Sequence, residues 1–156
     1  MRARPLNFLT IAGCALAGAT GLASANTLAI TPGVHVFEAH LQDDPCGRNT
    51  FCGAGKLTGF GRVKTRLTWR LSGAPPAAGC IGVVGMRTLS LAAERNSTLR
   101  LAVSGAVCGS RGWGTFKVSS GRGAFAGATG SGVIVDSLTA AHNDLHFSGV
   151  LTLGRK

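Results

Sequence analysis

Apolar and polar residues alternate with a period of two along most of this chain. In 63–71, VKTRLTWRL, the residues Val63, Thr65, Leu67, Trp69 and Leu71 share one face, and Lys64, Arg66, Thr68 and Arg70 share the other. Segment 98–103 sets Leu99, Leu101 and Val103 against Arg100 and Ala102, and 145–153 puts Leu145, Phe147, Gly149, Leu151 and Leu153 in phase. This is the pattern of antiparallel strands with one buried and one wet face. Turn-forming residues break it at short intervals, which predicts strands at 33–41, 55–61, 63–71, 86–94, 98–107, 112–119, 131–138 and 145–153. No window past residue 25 carries a helical stripe. Eight short strands with no helix between them predict an all-β fold: an eight-stranded antiparallel up-and-down barrel, or alternatively a β-sandwich.

One hairpin can be placed in register from sequence. Directly opposed residues of an antiparallel pair point to the same side. A two-residue loop at Arg95-Asn96 would set Leu91 against Arg100 and mix the faces. An odd loop keeps leucines opposed, Leu91 on Leu99 and Leu89 on Leu101, or each shifted by one pair. Asn96 suits a left-handed position in such a loop. The same register brings Cys80 and Cys108 to one end of the hairpin. That favours the pairing Cys80–Cys108 with Cys46–Cys52 among the three that four cysteines allow. Bridging a loop of the former length is worth roughly 3 kcal/mol. The Cys46-x5-Cys52 spacing lacks the C-x2-C form of a zinc knuckle, so no metal site is expected.

The chain start changes the compartment. A basic MRAR precedes the apolar FLTIAGCALAGATGLA, and Ala23-Ser24-Ala25 offers a small-residue cleavage site. This predicts a signal peptide at 1–25 and a single domain at 26–156, secreted or periplasmic. The alternative is a lipid anchor on Cys14, which ends the box Ile11–Cys14. Past the signal no apolar run reaches the roughly 18–20 residues of a membrane helix. Cleavage after Ala25 leaves 14 Lys/Arg against 6 Asp/Glu. That excess favours contact with anionic polymers or surfaces. With two Trp, no Tyr and most Phe in core phase, the stacking platforms of single-strand binders are missing, and no specific nucleic acid is expected.

The stretch 119–132, SSGRGAFAGATGSG, contains Gly121-x-Gly123-x-x-Ala126, which matches a dinucleotide-binding pattern. That reading needs a βαβ unit and a helix opening at the glycines. Several glycines at roughly 1 kcal/mol each prevent such a helix, so no cofactor is expected. What fits is a tight connection between strands, with Gly121, Gly123 and Gly130 meeting backbone demands and Phe125 plugging the barrel end.

GTFKVSSGRGAFAGATGSGVI followed by HFSGVLTL resembles the C-terminal half of the allene oxide cyclase and dirigent barrel superfamily. Gly121, Gly123, Phe125, Ala128 and Gly130 fall on that family's turn pattern. Ser120 and Arg122 stand where Gly and Thr are usual. The match covers about 40 residues and is nearest to small exported bacterial members of unassigned function. It implies an eight-stranded antiparallel barrel. It also implies, as an alternative function, an enzyme acting on a hydrophobic substrate.

Among candidate chemical groups, GVHVFEAHLQDD puts Glu38 and His40 on one strand face, where they can project into a barrel mouth as an acid–base pair. His146 joins His35 or His40 if the first and last strands close the barrel. No G-x-S-x-G elbow and no H-E-x-x-H motif occurs. Arg62, Lys64, Arg66, Arg70 and Arg100 form a candidate cationic strip on one outer wall. The expected function is therefore binding, of a small apolar ligand in the barrel or of an anionic envelope polymer on the wall. An enzyme or a ligand-free structural protein are the alternatives.

Overall fold

The computed structural model describes residues 31–73, 77–139 and 142–154. The signal segment 1–25, with Cys14 and the Ala25 cleavage site, lies outside them. Eight strands run in chain order around a closed, all-antiparallel barrel: β1 (Gly33–Gly47), β2 (Thr50–Leu57), β3 (Gly61–Leu71), β4 (Cys80–Leu91), β5 (Thr98–Cys108), β6 (Arg111–Arg122), β7 (Thr129–Leu138) and β8 (Asn143–Leu153). β1 and β8 complete the closure through eleven paired positions, from Gly33↔Leu153 to Asp43↔Asn143. Closure leaves no unpaired edge to recruit another chain.

Strand boundaries differ from expectation at three main places, the first being β1, which runs to Gly47, six residues past the predicted end at 41. The predicted strand 55–61 straddles a real turn, because β2 begins at Thr50 and ends at Leu57. Cys46–Cys52 pins that earlier hairpin, and PCGRNTFCG has a loop-like composition that hides a strand start. β4 begins six residues before the predicted 86–94, since GCIGVVG carries glycines within a paired strand. The β4–β5 register is the shifted odd one: Leu89 faces Leu99, Arg87 faces Leu101, and Cys80 directly faces Cys108. Asn96 is not left-handed. Among the described residues, the one non-glycine with positive φ is Asn49, in the β1–β2 turn.

The two barrel ends are built differently. At one end the turn after β6 forms a short 3-10 segment, Gly123–Phe125, that folds Phe125 inward until it is fully buried. Phe125 packs on Phe60 from the β2–β3 turn, with ring centroids 5.2 Å apart. Gly123 takes φ +61° and lies against Ser97, so any side chain there meets both backbone strain and the β4–β5 turn. Ser97 Oγ in turn accepts from the Ala124 amide (2.9 Å) and donates to Glu94 (2.6 Å), tying two turns into one plug.

Above the plug, Phe37, Phe116 and Phe147 fill the barrel axis with centroids 5.0 and 5.7 Å apart. Inward Gly132 and Gly149 oppose each other and make room for the Phe116 ring. An eight-stranded barrel is just wide enough for side chains to close it, and here they do so through its lower half. At the opposite end, the mouth, both disulfides cross-link the rim: Cys46–Cys52 joins β1 to β2 and Cys80–Cys108 joins β4 to β5. Covalent bonds thus hold the end that lacks an apolar plug.

Candidate functional site

Beyond Phe147 several inward positions are glycine. Gly85 on β4, Gly105 on β5 and Gly112 and Gly114 on β6 all face the lumen. Gly105, Gly112 and Gly114 border a cavity of about 160 Å³. Phe51, Trp69, Val83, Val103, Ile134 and Leu138 wall it, and Arg87, Leu145 and Phe147 lie at its inner end. An apolar cavity of roughly 150 Å³ accommodates a molecule of benzene size.

Charge enters this apolar space at three residues. Arg87 is 1% exposed and donates from one Nη to Asp43 (2.6 Å) and to Thr65 Oγ1 (2.7 Å). The pair links β4 to β1 across the lumen, and the guanidinium lies 5.4 Å from the Phe147 ring centroid, within cation–π range. Asp136 on β7 is the remaining carboxylate lining the cavity. Burial pushes its pKa up from the ordinary 3.8 to about 6. Arg87 opposes that rise, and the negative charges of Asp43 and Asp144 add to it. A carboxyl balanced this close to neutrality can either hold or release a proton in mildly acidic to neutral water.

The unmet polar capacity of the interior gathers around this cavity. Asp43 Oδ1, Trp69 Nε1, Arg87 Nε and Asp136 Oδ1 are buried without a hydrogen-bond partner. Buried polar groups are ordinarily satisfied, and a buried indole N–H ordinarily finds an acceptor. Four such atoms set the mouth-side half of the lumen apart from the apolar lower half, although the cavity wall itself is almost wholly apolar.

The sequence-predicted residues fall elsewhere. Glu38 and His40 do not reach the barrel mouth. Phe37, Ala39 and Leu41 form the inward phase of β1, so alternation puts Glu38 and His40 on the outer wall. There His40 stacks on His146 of β8, with rings 4.3 Å apart and 11° from parallel, because barrel closure pairs the two positions. His35 lies apart, edge-on to Phe60. Among the described residues no group of three or more His, Cys, Asp or Glu is arranged to hold a metal ion.

Arg62, Lys64, Arg66 and Arg70 are exposed along the outer face of β3. Arg100 on β5 lies across the hydroxyl of Thr88, in the register Arg66↔Thr88↔Arg100. That places it about 10 Å from Arg66, two strand spacings away. Among the described residues no ion pair engages these cations. Gly121, Gly123, Phe125 and Gly130 all belong to the plug and its flanks, away from the cavity.

Sequence reasoning missed Arg87, Asp43 and Asp136. A signal was present for the first two. Arg87 shares the phase of Leu89 and Leu91, and Asp43 that of Phe37 and Leu41. Charged residues in a core phase announce a partner. Asp136 gave less warning, because Val133 and Val135 make the outer phase of β7 as apolar as the inner one.

Among the described residues no helix is long and apolar enough to cross a membrane. Comparison with family models, with curated proteins and with solved structures returns no match to this chain, so the site is read on its own geometry.

Proposed function

We propose that this barrel is an exported binding protein that holds one small, largely apolar molecule in its mouth-side cavity. The observation that carries this reading is that three residues with an unpartnered buried polar atom, Trp69, Arg87 and Asp136, line one apolar cavity of about 160 Å³. Ligand pockets commonly combine apolar walls with a few convergent polar groups. Close strand approach excludes side chains at Gly105 and Gly114, where a Cβ would collide with the backbone carbonyls of Trp113 and Ser104 on the adjoining strand, and the lumen stays open beside them. Two disulfides fit an oxidising compartment, secreted or periplasmic. The resemblance of the plug turn to the allene oxide cyclase and dirigent barrels is consistent with such a use of the lumen. The test is native mass spectrometry of the chain purified from its own source. A co-purifying mass of about benzene to indole size, lost when Val103→Phe fills the cavity, is expected. Purified protein that carries no such mass and takes up no small aromatic probe refutes the reading.

A second reading rests on the outer wall. The unpaired cations of β3, with Arg100 and the hydroxyls of Thr88 and Ser90 between them, present a hydrogen-bonding cationic face. It fits an anionic envelope polymer and is compatible with ligand binding inside.

A further inference from the structure

The charges facing the lumen do not cancel. Arg87 is matched by Asp43 in a buried ion pair, and Thr65 occupies its remaining short contact. Among the described residues Asp136 has no hydrogen-bond partner on its buried oxygen and no ion pair, although it lines the cavity. The interior therefore carries one carboxylate in excess, in a protein whose outer surface is strongly cationic. Aromatic rings wall the same space from the far side of the barrel: Phe51 on β2 and Trp69 on β3, with centroids 6.4 Å apart, and ring faces attract cations.

Resting on the cavity reading above, we propose that the occupant is a small lipophilic amine, its ammonium set against the Asp136 carboxylate and its apolar body, about one ring in size, held among Trp69, Val103 and Ile134. The alternatives fit less well. A carboxylate ligand meets Asp136 as a like charge, and the Arg87 charge is already matched by Asp43, which leaves its unpartnered Nε to offer a donor. A neutral alcohol leaves the excess charge uncompensated in a site that penalises it. An ammonium supplies the missing charge and up to three N–H donors to an acceptor that has none.

Proton linkage sharpens the test. The charged groups around Asp136 are Arg87 on β4, which favours its ionised form, and Asp43 on β1 and Asp144 on β8, which oppose it. Its direct neighbours across β6 and β8, Gly112 and Leu145, carry no charge. Arg111, next to Gly112, is exposed. His142 is paired with Asp144 at 3.2 Å, and His146 faces outward beside Val135. The carboxyl takes up a proton near pH 6, so amine affinity is full above that point and falls as the pH drops through it. The loss approaches tenfold per unit of pH below about 6.

The experiment titrates the full chain with phenethylamine, phenethyl alcohol and phenylacetate at pH 7.5 and pH 5, following Trp fluorescence and heat. Expected are binding of the amine at least tenfold tighter than the alcohol at pH 7.5, no binding of phenylacetate, and roughly tenfold weaker amine binding at pH 5. Asp136→Asn, a near-isosteric change, removes both the amine preference and the pH effect while alcohol binding stays. Equal affinity for amine and alcohol, or tightest binding of phenylacetate, overturns the amine assignment and leaves the cavity reading standing. Failure of all three probes overturns both. If Asp136→Asn does not fold, the wild-type pH 5 titration decides by itself: unchanged amine affinity there refutes the role of Asp136.

Discussion

Removing Asp43 should be one of the most damaging single changes available in this barrel. The side chain is fully buried and accepts a 2.6 Å charge-assisted hydrogen bond from Arg87, itself 1% exposed. In Asp43→Ala the guanidinium keeps the Thr65 hydroxyl and the Phe147 ring and loses its counter-charge. Stranding one member of a buried pair costs about 3–5 kcal/mol. A domain of this size has a total stability on the order of 5–15 kcal/mol, so about a fifth or more is lost. Urea unfolding followed by Trp fluorescence reads this directly. With a slope of about 2 kcal/mol per molar, the midpoint drops by roughly 2 M.

The double variant Asp43→Leu with Arg87→Met separates charge from packing. Replacing both partners with apolar residues of similar volume is near neutral or stabilising by about 1–4 kcal/mol. Asp43 Oδ1 and Arg87 Nε already lack partners in the native protein, which pushes the double variant toward the stabilising side. An Asp43→Ala loss below about 1 kcal/mol would refute this reasoning. So would a double variant as unstable as the single one.

Three further outcomes follow from the same structure. The two disulfides should contribute unequally, because Cys80–Cys108 spans 28 residues and Cys46–Cys52 spans 6. Chain-entropy arithmetic gives about 3.6 and about 2.2 kcal/mol, so Cys80→Ala with Cys108→Ala should lower the urea midpoint more than the other pair, and the reverse order counts against an entropic origin. Asp136→Asn should raise stability at pH 8 by on the order of 1 kcal/mol, the full shift being discounted for screening at a half-buried site. The sign follows from a folded pKa of about 6 above the ordinary 3.8: the ionisation penalty is complete above pH 6 and absent below about 4, where the variant should match wild type. On the outer wall, Arg66→Ala with Arg70→Ala should elute from a sulfonate resin at clearly lower salt than wild type, and unchanged retention would remove β3 as a polyanion contact.

The alternation of residues along the chain was enough to determine strand count, antiparallel class and the faces of β3, β5 and β8, because a period of two is a local property of each strand. It also determined the Cys80–Cys108 bridge, since opposed leucines restrict the hairpin register to a few choices. The plug turn was legible as well: SGRGAFAGATGSG holds too many glycines for a helix and one phenylalanine placed to fold inward. The tertiary structure alone decided where the chemistry sits. Alternation assigns a residue to a face but not that face to the lumen, and Glu38 and His40 were on the wrong side for that reason. Nor does it say which inward residues meet. Arg87 reaches Asp43, and Asp136 comes within range of both, only because β1 closes on β8 and brings strands distant in sequence around one axis. The cavity itself belongs to closure: glycines on β5 and β6 and apolar side chains on β3, β4 and β7 border a shared space only when their inward faces converge.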